Sequence, residues 1–250
     1  MLLDGKNAVV YGAGGIGRAM ATGLAAEDAT VYLASRTKAR ADNIADEIRA
    51  AGGTAEAAEL DATDEAAVDR HADDVAERAG SLDISVNVVS WDDVQGTALA
   101  EMTPADFEAP IHKAMRTNFL TWRAAARHMI PQKSGVILAF GGSGDPVRDY
   151  NIGGFQIALE AVEALRRQFA SENGRHGIRV VSLLTGGIPE TIPADFGGRD
   201  ELVESLTKPT LLGRTATLED VGAVAAFAAS DKARMITAAS INITGGAVIG

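Results

Sequence analysis

The sequence contains no cysteine. Disulfides, thiolate nucleophiles and thiolate metal ligands are therefore excluded, and no oxidising compartment is implied. Positive charge is scarce: 23 Lys and Arg stand against 34 Asp and Glu, for a net charge of −11. Such a chain is a poor partner for nucleic acid or an anionic membrane, since both reward basic patches. No apolar run approaches the length needed to span a bilayer, and no basic-then-apolar leader opens the chain, so a cytoplasmic protein is expected. The histidines (His71, His112, His128, His176) are scattered and match no H-E-x-x-H or other ligand spacing, so no metal is expected. Repeats, low-complexity tracts and linkers are missing as well. A 250-residue chain with 46% hydrophobic residues is expected to form one domain with a large core.

What the chain does contain is alternation. Strand-sized runs stand at 8–11, 30–34, 54–60, 82–89, 136–140, 178–184 and 241–243. Helical spacing fills the gaps at 38–51, 63–79, 109–130, 152–172, 200–206 and 218–229, after a first helix that follows the glycines at 12–17. Thr63 is the expected N-cap of its helix, and Pro131 the expected stop of the long one. This β-α-β-α order specifies an α/β fold: a Rossmann-type, doubly wound, seven-stranded parallel sheet with helices on both faces. Ligands of such sheets sit beyond the carboxyl ends of the strands, where strand order reverses. Residues 12–17, 35–36, 61, 87–90, 141–143 and 185–188 should therefore share one rim.

The glycines carry the first functional signal. Gly12, Gly14 and Gly17 satisfy G-x-G-x-x-G between a strand and a helix. One glycine permits the tight turn, a second admits a pyrophosphate to the backbone, and a third lets helix pack closely on strand. The first-turn N–H groups, with Gly15 and Ile16 among them, then face the phosphate. Cofactor choice is argued at the end of the second strand. An acid there would hold the ribose 2′-hydroxyl of NAD(H); this chain has Ser35 and Arg36 instead. A serine hydroxyl and a planar guanidinium suit a 2′-phosphate, so NADP(H) is favoured over NAD(H).

The order of motifs resembles the short-chain dehydrogenase/reductase family along essentially the whole chain. DISVNVVS at 83–90 is similar to the family's D-I-L-V-N-N-A-G strand, with Asn87 on the first Asn. Asp61 and Ala62 resemble the Asp-Val pair that holds the adenine. TNFLTWRAAARHMIP at 117–131 resembles the long fourth helix, with Asn118 on the catalytic Asn. HGIRVVSLLTGGIPET at 176–191 resembles the strand and loop that meet the nicotinamide, Thr185 and Gly186 replacing Pro-Gly and Ile188 following. Residues 211–246 are close to the C-terminal segment, the longest match. The resemblance implies an oxidoreductase acting on a small-molecule substrate, with a substrate-side segment at about 185–210. It also implies a homo-oligomer, tetramer or dimer, built through the fourth and fifth helices and the last strand.

The chain departs from the family in two places. The usual opening loop is T-G-x-x-x-G-x-G; here it is one residue shorter and Tyr11 takes the Thr position. The second departure is chemical. The family uses a Tyr as acid or base, a Lys four residues on that lowers its pKa, a Ser that polarises the substrate oxygen, and the Asn. Aligned on AVEAL at 161–165, the Tyr position holds Phe155 and the Lys position Leu159, and no Lys occurs between Lys133 and Lys208. The longer Tyr-to-Lys spacing of the enoyl reductase branch fails for the same reason. The Ser position falls on Gly141 or Gly142, with Ser143 adjacent. The candidate catalytic set is therefore Asn118, Ser143 and Tyr150, where Tyr150 is either a displaced acid or a loop anchor. Trp91 either lines the substrate pocket or covers the edge of the core. Three functions fit: an NADP(H)-dependent reductase of a carbonyl or activated double bond, a nucleotide-binding sensor or structural partner without turnover, or a non-redox enzyme reusing the pocket.

Overall fold

Continuous apolar runs place five strands in the middle of a sheet, where both faces are covered. In the computed structural model, which describes residues 1–142 and 150–249, these are β1 (Asn7–Tyr11), β2 (Thr30–Ser35), β4 (Ile84–Asn87), β5 (Gly135–Gly142) and β6 (Ile178–Thr185). The alanine- and glutamate-bearing β3 (Thr54–Glu59) and the half-exposed β7 (Ala239–Ile243) form the two edges. The order is β3-β2-β1-β4-β5-β6-β7, every neighbouring pair parallel. Strand order reverses between β1 and β4, where Tyr11 stands beside Asn87.

Two apolar cores sandwich the sheet. On one face α1 (Gly15–Ala26), α2 (Lys38–Ala50) and α7 (Leu218–Ala229) bury Met20, Leu24, Ile44, Ile48 and Val221. On the other, α3 (Glu65–Ala79), α4 (Pro104–Gln132) and α5 (Gly154–Asn173) bury Val68, Val75, Trp122, Met129 and Val162. The first and last of the helices on the first face touch through backbone: a Cβ on Gly23 would lie 2.4 Å from the Gly222 carbonyl oxygen. A short helix, α6 (Arg199–Thr207), buries none of its residues.

Two boundaries differ from expectation. The N-cap of α3 is Asp64, whose side chain accepts from the Ala67 N–H at 3.1 Å. Thr63 is occupied elsewhere: its N–H and hydroxyl both donate to Asp61 Oδ1, at 2.9 and 2.7 Å, in an Asx turn that delays the helix by one residue. The fourth helix starts at Pro104, capped by Thr103, where a proline after a threonine suits a first turn, but its far end differs: it runs through Pro131 instead of stopping there. Burial of Pro110 against the start of α5 compensates one lost backbone bond: a Cβ on Gly154 would lie 3.0 Å from the proline ring and 2.1 Å from the Phe107 carbonyl oxygen. At the far end the Gln132 amide brackets Leu82, accepting from its N–H at 3.1 Å and donating to its carbonyl at 3.0 Å. The stop is Lys133, in the left-handed region at φ 56°.

Candidate active site

The glycine turn is tight because it must clear its neighbours. Gly12 has φ 113°, and a Cβ there would lie 2.6 Å from the Val88 carbonyl oxygen. Gly17 packs on Gly12 itself. Gly14, the N-cap of α1, offers no side-chain cap, and its Cβ position is open space. Gly15 and Ile16 form the first turn, Ile16 partly buried against the core below. The helix thus presents its first-turn N–H groups to an open cradle that a phosphate group fits. Tyr11 points away: its ring lies edge-on to His71 at 5.9 Å, and burial, with Asp69 adding, raises its phenol well above the usual value.

The ends of β2 and β3 lie beside this cradle. Arg36 is exposed and makes no ion pair with any described residue. Its charge reaches Asp61, whose carboxyl is held below the usual range first by the Thr63 N–H, against desolvation, with the Thr63 hydroxyl, Arg36 and Lys113 adding to it. Ser35 Oγ accepts from the Thr37 N–H at 3.2 Å, which leaves its proton to donate. Lys38, the next cation, pairs with Asp42 at 2.6 Å. Ala62 is buried beneath Asp61.

Asn87 closes the switch point. Its amide donates to Thr117 Oγ1 and accepts from the Val89 N–H, both at 3.1 Å, which ties the end of β4 to α4. Across the rim Gly186 has an open Cβ position, and Ile188 is buried in the core below. Thr191 is a residue that the motif comparison passed over. A Cβ on Gly15 would lie 3.5 Å from its Cγ2, so the turn Pro189–Thr191 leans over the phosphate cradle. No local spacing marks it, because it reaches the cradle only through the fold of the loop that follows Gly186.

The substrate side differs in chemistry. Asn118 is buried, its amide donating to the Ala114 carbonyl at 2.9 Å. Phe155, in the first turn of α5, packs on Trp91 with ring centroids 5.3 Å apart. Leu159 is buried against β5; a Cβ on Gly141 would lie 3.3 Å from its Cδ2. Tyr150 reaches α6, its hydroxyl 2.6 Å from Ser205 Oγ. Because Ser205 donates to the Leu202 carbonyl at 2.7 Å, Tyr150 is the donor of that pair. Ser143 lies outside the described residues, as do Arg148 and Asp149.

A doubly wound parallel sheet with a glycine cradle at its switch point defines a dinucleotide-binding protein. The profile of the family described as enoyl-(acyl carrier protein) reductase matches residues 12–248. The meso-2,3-butanediol dehydrogenase of Serratia marcescens is 32% identical over 99% of this chain and 96% of its own. Among solved structures, that of gox2181 superposes with a TM-score of 0.90 at 28% identity, covering 98% of this chain and 96% of that one. A 7α-hydroxysteroid dehydrogenase complexed with NADH and 7-oxo glycochenodeoxycholic acid reaches 0.86 at 26% identity, covering 98% and 94%. The chain belongs to the short-chain dehydrogenase/reductase family. That membership implies binding of NAD(H) or NADP(H). No helix among the described residues is long and apolar enough to cross a membrane.

Proposed function

We propose that this protein is an NADP(H)-dependent oxidoreductase that reduces a small carbonyl compound or activated double bond with a non-standard catalytic centre. The observation that carries the cofactor preference is Arg36: an exposed guanidinium without an ion-pair partner among the described residues, at the β2 end where an acid would favour NAD(H). Gly12, Gly14, Gly15, Ile16 and Gly17 hold the pyrophosphate by backbone N–H groups. Ser35 and Arg36 take the 2′-phosphate, Asp61 and Ala62 border the adenine, and Gly186 and Ile188 border the nicotinamide. Asn87 keeps the β4 exit in place for them through Thr117 and Val89.

The bound cofactor supplies the hydride. The chain must orient the substrate, exclude water and deliver a proton. Asn118 and Ser143 are the polar groups assigned to orientation, and Tyr150 Oη holds the transferable proton. The hydride goes to the carbonyl or β carbon and the proton to the oxygen or α carbon, so the reduction balances. Without a helical lysine beside Tyr150, proton transfer is weakly assisted, and an activated substrate is required. A second reading, nucleotide binding without turnover, is favoured by Phe155 and Leu159, which have no proton to give.

NADPH fluorescence titration followed by NADPH consumption against enones, quinones and aldehydes tests this. Binding with turnover is expected; binding without turnover selects the second reading, and no binding overturns both. Arg36→Ala should weaken NADPH far more than NADH, and equal losses would remove Arg36 from the phosphate site. Tyr150→Phe should lower turnover; an unchanged rate removes Tyr150 as acid. We also propose a cytoplasmic homo-oligomer, tetramer or dimer, joined through α4, α5 and β7. Exposed Phe119 and Ile157 on those helices support it, and sedimentation velocity measures it.

A further inference from the structure

We propose that Glu190 is a positioning residue of the cofactor site: its carboxylate ties the Pro189–Thr191 turn to the start of α7, holds Thr191 over the glycine cradle and so slows release of the dinucleotide. This rests on the dinucleotide-binding reading of the cradle and concerns how that site keeps its ligand.

The turn has little of its own to hold it. Glu190 and Thr191 are exposed. The Thr191 N–H and hydroxyl both donate to the Ile188 carbonyl, at 2.9 and 2.8 Å, so they close the turn on itself without fixing where it points. Two contacts come from α6: Arg199 Nη2 donates to the Pro189 carbonyl at 3.2 Å, and a Cβ on Gly187 would lie 2.5 Å from Leu206 Cδ1. That helix buries none of its residues, so it is a weak anchor. Ile188, buried in the core, fixes the near end of the turn. Beyond it, the bond to the packed frame is the one that Glu190 makes: Oε2 accepts from the Leu218 N–H at 2.6 Å.

Leu218 is the first residue of α7, and its N–H is one of those that a helix start leaves without an intrahelical acceptor. Thr217 takes the Asp220 N–H; Glu190 takes this one and places its charge at the positive end of the helix. The helix itself is a firm anchor. Val221, Ala225 and Ala226 are buried, and Gly222 meets Gly23 of α1 backbone to backbone. The other end of α1 carries the cradle. The path from Glu190 through α7 and α1 therefore returns to Gly15, where a Cβ would lie 3.5 Å from Thr191 Cγ2 and 3.8 Å from Leu218 Cδ1. One hydrogen bond thus sets the gap between Thr191 and the glycine turn. Loss of a single bond to a charged acceptor at an exposed site corresponds to about a tenfold change in an equilibrium.

The test uses the full-length protein and whichever reduced nucleotide binds it more tightly, NADPH or NADH. Stopped-flow displacement gives the dissociation rate, and fluorescence titration the affinity. Glu190→Ala should speed dissociation about tenfold while the association rate stays near that of the unmodified protein. Glu190→Gln, whose amide oxygen still accepts, should recover most of the loss. The unfolding temperature without nucleotide should hardly move in either variant, because the side chain is exposed. Leu218→Pro removes the donor and suits the first position of a helix. In that background Glu190→Ala should change dissociation by less than about twofold, since the two changes break the same bond. Unchanged dissociation in Glu190→Ala, no recovery in Glu190→Gln, or an undiminished effect of Glu190→Ala in the Leu218→Pro background overturns the inference. Should Leu218→Pro fail to fold, the comparison of Ala with Gln decides alone. Nucleotide binding by the unmodified protein is measured first. If neither nucleotide binds, the dinucleotide reading fails; if one binds and Glu190→Ala releases it no faster, this inference alone fails.

Discussion

Gly17 and Gly12 meet so closely that a Cβ on Gly17 would lie 2.0 Å from the Gly12 carbonyl oxygen. The obstruction is backbone, which cannot swing aside. Gly17→Ala should therefore open the β1–α1 turn, lowering stability by about 1–3 kcal/mol and NADPH affinity at least tenfold. Gly14→Ala provides the contrast, because its Cβ enters open space. That variant should unfold near the wild-type temperature yet bind NADPH weakly, its methyl group standing in the proposed phosphate cradle. Thermal unfolding and fluorescence titration separate the two effects; wild-type affinity in Gly14→Ala would place the phosphate elsewhere.

The carboxylate of Glu163 joins α5 to two strands. It accepts from Ser182, from Ser240 at 2.8 Å and from Arg166 Nη2 at 2.8 Å. Burial alone would raise its pKa, but the Arg166, Ser182 and Ser240 donors outweigh burial and hold it below the ordinary glutamate value. A depressed folded-state pKa contributes stability above the ordinary value, lost as pH falls through the folded one. Glu163→Gln removes that contribution and leaves the Arg166 side chain, 5% exposed, without its counter-charge. The expected cost is about 3–5 kcal/mol at neutral pH, with a flatter acid limb when urea midpoints are measured from pH 7 to 3. An acid limb as steep as the wild type's would show that another carboxylate governs acid stability.

Alignment on residues 161–165 puts Phe155 and Leu159 where the family resemblance expects a Tyr and a Lys, and their reversal tests that alignment. Phe155→Tyr with Leu159→Lys should raise NADPH-dependent reduction of an unactivated ketone by on the order of 10²–10⁴. Leu159 is 5% exposed, so the lysine should also lower the unfolding temperature. The single variants should gain little, because each supplies half of a coupled pair. Steady-state kinetics of all three decide; no gain in the double variant would mean that the helix presents these positions differently.

The start of α7 is held by a capping box: Thr217 Oγ1 accepts from the Asp220 N–H at 3.1 Å, and Asp220 accepts from the Thr217 N–H at 3.0 Å. Asp220 is lowered to about 2, by Arg214 first and then by the Thr217 N–H. Thr217→Ala should cost about 1 kcal/mol by denaturant titration. Because Asp220 stays charged at pH 4, acidification to that point should leave this cost unchanged.

Strand and helix order was legible because periodicity reports which faces are buried, and strands buried on both faces read as apolar runs. Boundaries were less so. Pro131 reads as a stop, yet the Gln132–Leu82 pairing that carries the helix past it joins residues distant in sequence. Thr63 and Asp64 are both good caps, and the choice was made by Asp61, which claims Thr63. At the candidate site, the tight glycine turn after β1 was legible from local spacing, as was the position of Arg36 at the end of β2. Thr191 was not, because it reaches the cradle through the fold of a loop, and the Tyr150–Ser205 bond depends on where α6 comes to rest.

The contact of Gly23 with Gly222 has a consequence for synthesis. α1 is synthesised some two hundred residues before α7, the helix that braces it. Until then the apolar flank of α1 has no cover from α7, and the nascent chain must keep it from mispairing. A nucleotide present during translation would find the glycine turn fully braced only once α7 has emerged.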